Sequence, residues 1–152
     1  MHKILTKLNQ ETVVELYELQ NRVQFVNTDR RLGSSGLQKM SVYSYSKWKT
    51  WNRIDVSSFK GSFDKSIIDK SIIGWFLKFP PNTGFLDLMT TWVGKDSGVI
   101  SAFSLEDNQK IWLDGKEITV NKGEGIEFSL SVPHEIKSEK FEQKWACLMS
   151  LK

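Results

Sequence analysis

From Ser71 onward, short apolar runs rich in β-branched and aromatic residues alternate with turn-forming clusters, a pattern that demands a packed β architecture. Ile72-Ile-Gly-Trp-Phe-Leu-Lys-Phe79 stops at Pro80-Pro81-Asn82-Thr83-Gly84. Phe85 to Val93 is ended by Gly94-Lys-Asp-Ser-Gly98, and Val99 to Leu105 by Glu106-Asp-Asn108. Lys110 to Leu113 and Glu117 to Val120 flank Asp114-Gly115, a pair that accepts the positive φ of a two-residue hairpin loop. Gly125 to Leu130 and Lys144 to Leu151 complete the set. Strands recurring at a spacing of roughly 8–12 residues predict a sandwich or barrel, and an antiparallel jelly roll closed at its edges is the best single architecture.

The first half is less regular. Residues Asn9 to Val26 predict one amphipathic helix: Asn9 caps it, Glu11 favours its positive end, and Val13, Leu16, Leu19 or Gln20, Val23 and Val26 recur at spacings of three and four. Its job is to pack on a sheet. Asn27 to Gly36, with Arg30 and Arg31, is expected to be a polar connection. Val42 to Phe63 alternates aromatic residues with Ser and Lys and predicts one or two irregular strands. The six tryptophans, at 48, 51, 75, 92, 112 and 145, are expected mainly in the core, where rings supply much buried area; a carbohydrate or base-stacking platform is the sharper, less favoured reading.

At 152 residues the chain is expected to form one domain, 1–152, with a helix at 9–26 and a jelly-roll core at 72–151. No apolar run approaches the roughly 20 residues of a membrane span, and Met-His-Lys-Ile-Leu-Thr-Lys-Leu is too polar for a signal peptide. The expected location is cytoplasmic or virion-associated, without a membrane. The single cysteine, Cys147, cannot form an internal disulfide. A net charge of +3 is no strong nucleic-acid signal, since phosphate binders concentrate charge in a patch.

His134, just past Pro133, is the only histidine besides His2. The order of elements, the Phe79-Pro-Pro-Asn-x-Gly84 loop, the Asp114-Gly115 hairpin, the Gly123-x-Gly-x-x-Phe128 lead-in and the Pro133-His134 step together resemble the non-haem Fe(II) and 2-oxoglutarate-dependent oxygenases. The likeness is nearest to their prolyl-hydroxylase-like branch and covers about residues 72 to 151. It implies a double-stranded β-helix, the fold also of the cupins. It further implies an iron held by a His-x-Asp pair and a later histidine, with a cation about ten residues beyond that histidine binding the co-substrate. His134 matches the late histidine and Lys144, ten positions on, matches the 2-oxoglutarate anchor.

The early pair is where the pattern fails. One register sets Phe85-Leu86-Asp87 over it, keeping the carboxylate of Asp87 as a metal ligand and putting Phe85 where an imidazole belongs. The other sets Met89-Thr90-Thr91 there and loses both ligands. His2 could contribute only if the N-terminus folded across the barrel mouth. The metal-binding motif thus looks degenerate, and His134 is most simply a hydrogen-bonded residue at a strand start. A glycosidase-like pair of Glu127 and Asp87 has no independent support.

Two functions follow. The favoured one is an oxygenase-like jelly roll that has lost catalysis, carries no cofactor, and acts as a structural or binding component with a protein partner or in a larger assembly. Its mix of Ser, Lys and aromatic strands has the look of phage or viral proteins. The alternative is an active dioxygenase that hydroxylates a peptide or small molecule. It would use Fe(II) and 2-oxoglutarate with Asp87, His134, an unseen third ligand and Lys144.

Overall fold

A computed structural model of the protein describes residues 2–22, 26–31, 37–44, 71–79, 84–86, 98–137 and 140–151. The elements are β1 (His2–Ile4), α1 (Gln10–Arg22), β2 (Val26–Arg31), β3 (Leu37–Ser44), β4 (Ser71–Phe79) and β5 (Gly84–Leu86). They continue with β6 (Gly98–Ser104), β7 (Gln109–Leu113), β8 (Lys116–Val120), β9 (Gly125–Ser129), β10 (His134–Lys137) and β11 (Gln143–Leu151). Among the described residues no helix is long and apolar enough to cross a membrane.

Two sheets form. The larger has the order β1-β9-β6-β11-β4-β3-β2 and the smaller β5-β10-β7-β8. Every strand pairing is antiparallel. From β4 onward the chain passes back and forth between the sheets, four strands to each, which is the winding of a double-stranded β-helix. The fold is therefore mainly β, as the strand spacing predicts, with one helix among the described residues.

Strand β11, at the centre of the large sheet, is covered on both faces and is apolar on both sides. Between the sheets, Ile100, Phe128, Trp145 and Met149 meet Ile111 and Ile136 of the small sheet. On the outer face of the large sheet, Phe76, Phe103, Ala146 and Leu148 pack against Val13 and Leu16 of α1. The helix starts where expected: Asn9 Oδ1 accepts the Thr12 N–H at 2.8 Å and the Thr12 hydroxyl at 2.9 Å. It ends at Arg22 rather than Val26, because Val26 already belongs to β2.

Two departures from expectation have local causes. Residues 26–31 are a strand, not a connection, with Asn27 opposite Ser41 and Arg30 opposite Gln38. A polar strand at a sheet edge needs no apolar alternation, so its sequence, Val-Asn-Thr-Asp-Arg-Arg, does not announce it. The N-terminus also adds a strand: β1 lies on β9, with His2 opposite Phe128. Much of the expected strand from Phe85 to Val93, and most of Val42 to Phe63, lie outside the described residues. The β7–β8 hairpin turns as predicted, with φ of 51° at Asp114 and 79° at Gly115.

One close approach fixes the join between α1's lead-in and the barrel. Leu5 N–H donates to the Gly125 carbonyl and Leu8 N–H to that of Gly123, both at 2.9 Å. A Cβ on Gly125 would stand 2.5 Å from the buried Phe103 ring. Gly125→Ala is expected to cost about 1–3 kcal/mol by overpacking, read from urea unfolding; Phe103→Leu in the same chain should return part of it.

Candidate functional site

Pro133 ends the β9–β10 connection and its carbonyl accepts the Asp114 N–H at 2.7 Å, so β10 begins at His134. Opposite residues in an antiparallel pair share a face. His134 stands opposite Leu113 and Ile136 opposite Ile111, and the apolar three of these four lie in the core between the sheets. The imidazole therefore enters the barrel, with 1% of its surface exposed. Its ring centroid is 5.2 Å from that of Phe128, and its Nδ1–H donates to the Val132 carbonyl at 2.6 Å. A carbonyl can only accept, so Nδ1 carries a proton in this contact, and the carbonyl fixes the ring's orientation.

The small sheet sets β5 beside β10, with Phe85 opposite Ile136 and Leu86 opposite Glu135. The strand next to that of His134 is thus the one on which the first register places the early ligand pair, and it carries Phe85. Asp87 lies outside the described residues, as do Met89, Thr90 and Thr91. His2 is exposed on β1, opposite the Phe128 whose ring meets His134. Glu127 lies opposite Lys3 and Ser101, on the face away from Ile126 and Phe128, so it does not join a carboxylate pair within the barrel. Among the described residues no group of three or more His, Cys, Asp or Glu could hold a metal ion.

Lys144 is not brought to His134. Along β11, Trp145, Cys147 and Met149 point between the sheets, while Ala146 and Leu148 point to α1. Lys144 shares the parity of the second set. Its Nζ lies 4.9 Å from the centre of the Tyr17 ring on the helix and 3.8 Å from a Glu142 carboxylate oxygen. Lys122 flanks the same ring at 5.7 Å and pairs with Glu106 at 3.9 Å. Burial, together with a hydrogen bond to Glu106, pushes the Tyr17 phenol well above its ordinary range. The lysine that the spacing matched to a co-substrate carboxylate here clamps the helix to the sheet.

The inward positions of β11 hold no cation. Gln143 Oε1 accepts the Trp145 indole N–H at 2.9 Å, and Trp145 is fully buried. Burial alone pushes the Cys147 thiol far up, so it stays protonated and serves as a small hydrophobe. Gln109 bridges the sheets. Its Nε2 donates to the Lys144 carbonyl at 2.7 Å and to Ser104 Oγ at 2.8 Å, while its Oε1 accepts the Lys144 N–H at 2.6 Å. Sequence reading missed Gln109; a glutamine opening a strand between a polar turn and an apolar run gives no distinctive signal. Among the described residues the site thus shows one oriented imidazole, no group of three metal-ligating side chains and no cation on the inward face of β11.

No family model matches the chain, and no curated protein matches it by sequence. Solved structures do match in shape. A 2OG-Fe(II) oxygenase family oxidoreductase from Burkholderia pseudomallei has a TM-score of 0.70 at 9% identity, covering 98% of this chain and 84% of that one. A prolyl-4-hydroxylase from Pseudomonas putida gives 0.59 at 12% identity, over 99% of this chain and 91% of that one. A predicted oxalate decarboxylase from Thermotoga maritima gives 0.52 at 10% identity, over 85% and 95%. At such identities the likeness carries the fold alone. By strand order, winding and structural neighbours, this chain has the double-stranded β-helix fold, which those oxygenase and oxalate decarboxylase structures share.

Proposed function

We propose that this chain is a jelly-roll module of oxygenase shape that does no oxygenase chemistry and serves as a structural or binding component of a larger assembly. The observation that carries the reading is the parity of β11. A co-substrate carboxylate would need a cation inside the barrel, and the inward side chains there are Gln143, Trp145, Cys147 and Met149, with Lys144 turned to α1. A carboxylate buried without a cation is costly, so the inward face of β11, as far as it is described, offers the oxo-acid no anchor. A phage or virion particle is the setting that the composition brings to mind for such a component.

A second reading, an active Fe(II)/2-oxoglutarate hydroxylase, draws on the oriented ring of His134 and the placement of β5 beside it. It needs Asp87, a third ligand and a different anchor for the oxo-acid.

One experiment separates the two. Under anaerobic conditions, Fe(II) and 2-oxoglutarate are added to the protein while absorbance and thermal unfolding are followed. The proposal expects no visible charge-transfer band and an unchanged midpoint. Specific binding at a hundredfold excess over Kd would stabilise by about 2.7 kcal/mol, an upward shift that is easily read. A band that disappears in His134→Ala would overturn the proposal.

A further inference from the structure

The solvent side of the small sheet carries a feature that the barrel interior does not explain. A groove of about 690 Å³ runs from the β6–β7 turn to the turn before β11, and two aromatic rings, Trp112 and Phe141, line it. We propose that this groove binds a neutral carbohydrate, with Trp112 and Phe141 as stacking surfaces for the sugar's C–H faces.

Strand parity puts Trp112 there. Ile111 and Leu113 enter the core, so Lys110 and Trp112 face outward, and Trp112 stands between Glu117 on β8 and Glu135 on β10. Phe141 is 82% exposed, in the connection between β10 and β11. An exposed ring of this size gains apolar burial from a ligand that enters the groove. A planar aromatic with a hydrogen-bonding rim nearby is a surface that grips an amphipathic ring.

The charges around these rings decide between ligand classes. Asp107, Asn108, Lys140 and Glu142 share the lining. Most of the nearby charge is already compensated: Glu142 by Lys144 at 3.8 Å, Lys110 by Glu117 at 3.5 Å, and Glu106 by Lys122 at 3.9 Å. Asp107 Oδ1 accepts the Lys122 N–H at 3.0 Å. A wall of self-paired charges offers little net field to an ion, whereas sugar hydroxyls donate and accept and can use carboxylate, amide and ammonium alike. A nucleotide would also stack, but its phosphate would sit against three carboxylates and two ammonium groups. The groove opens at the Gln109 end of β7, whereas His134 pairs with Leu113 at the other end; Gln109 and Gln143, whose strands also face the barrel, are part of its lining.

The test uses the full chain labelled with nitrogen-15. The Trp112 indole N–H signal, identified by its loss in Trp112→Phe, is followed while glucose, galactose, mannose, N-acetylglucosamine, maltose and cellobiose are added separately. The expected result is a saturable shift of that signal with at least one sugar, at a Kd of about 1 mM. Phe141→Ala, which removes only an exposed ring and leaves the rest of the spectrum in place, should weaken that binding about tenfold. The proposal is overturned if no sugar shifts the indole at about ten times that concentration. It is equally overturned if Phe141→Ala leaves the affinity unchanged, or if only choline, arginine or oligothymidylate produces the shift.

Discussion

Trp145→Ala is expected to lower the free energy of unfolding by about 3–5 kcal/mol, measured by urea titration, because it empties the centre of the space between the sheets. Trp145 is fully buried, and its indole N–H is satisfied by Gln143, so truncation removes both packing and a buried hydrogen bond. The neighbouring residue gives the contrast. Lys144→Met keeps an unbranched side chain over the Tyr17 ring and removes a partly exposed ion pair with Glu142, so it should change stability by less than about 1 kcal/mol. The two variants together test strand parity. Equal losses, or a Lys144→Met loss larger than that of Trp145→Ala, would mean that the lysine and not the indole faces the barrel, and the reason for doubting oxo-acid binding would go with it.

Gln109→Leu should cost about 3 kcal/mol despite its similar volume, because a buried group left without a partner costs roughly 1–3 kcal/mol and this change affects several. The Gln109 amide acts as a short piece of strand, giving and receiving one hydrogen bond each with the Lys144 backbone. Leucine leaves the Lys144 N–H without that acceptor and Ser104 Oγ without a donor that reaches it at 2.8 Å. The Lys144 carbonyl keeps the Leu105 N–H, at 3.0 Å. Amide exchange provides the specific readout: the Lys144 N–H should lose protection more than amides in the middle of β11, such as Cys147. A uniform loss of protection along β11 would instead indicate general loosening and refute the bridging role.

The fold was more legible in the sequence than the site, and β11 shows why. Turn chemistry is local, so Asp114-Gly115, Asp107-Asn108 and the glycines at 123 and 125 mark strand ends without any knowledge of neighbours. Which way a side chain points along β11 is not local. Trp145, Cys147 and Met149 alternate with Ala146 and Leu148, and both sets are buried, one between the sheets and the other under α1. A strand apolar on both faces carries no alternation that tells inside from outside. Counting ten residues from His134 therefore found Lys144 but not its direction. The polar edge strand at residues 26–31 was hidden for the opposite reason, having too little apolar character to register. The inward course of His134 is set by its opposition to Leu113, a cross-strand fact. The residues on which the carboxylate question turns, Asp87 and Met89 to Thr91, lie outside the described part of the structure.

The pairing of β1 with β9, and of β11 with both β4 and β6, bears on how such a chain reaches its native state. The only described hairpins closed by a short connection are β2–β3 and β7–β8; most of the ladder joins segments far apart in sequence, His2 with Phe128 and Ser71 with Ser150 among them. Loop-closure entropy must be met before those contacts repay it, which places a chain of this topology among slow folders, on timescales of about milliseconds to seconds. During synthesis the large sheet cannot close until β11 emerges, since β11 is the strand that joins β4 to β6. Until then the apolar edges of β4 and β6 have no partner, and the nascent chain depends on dilution or a chaperone to stay clear of aggregation.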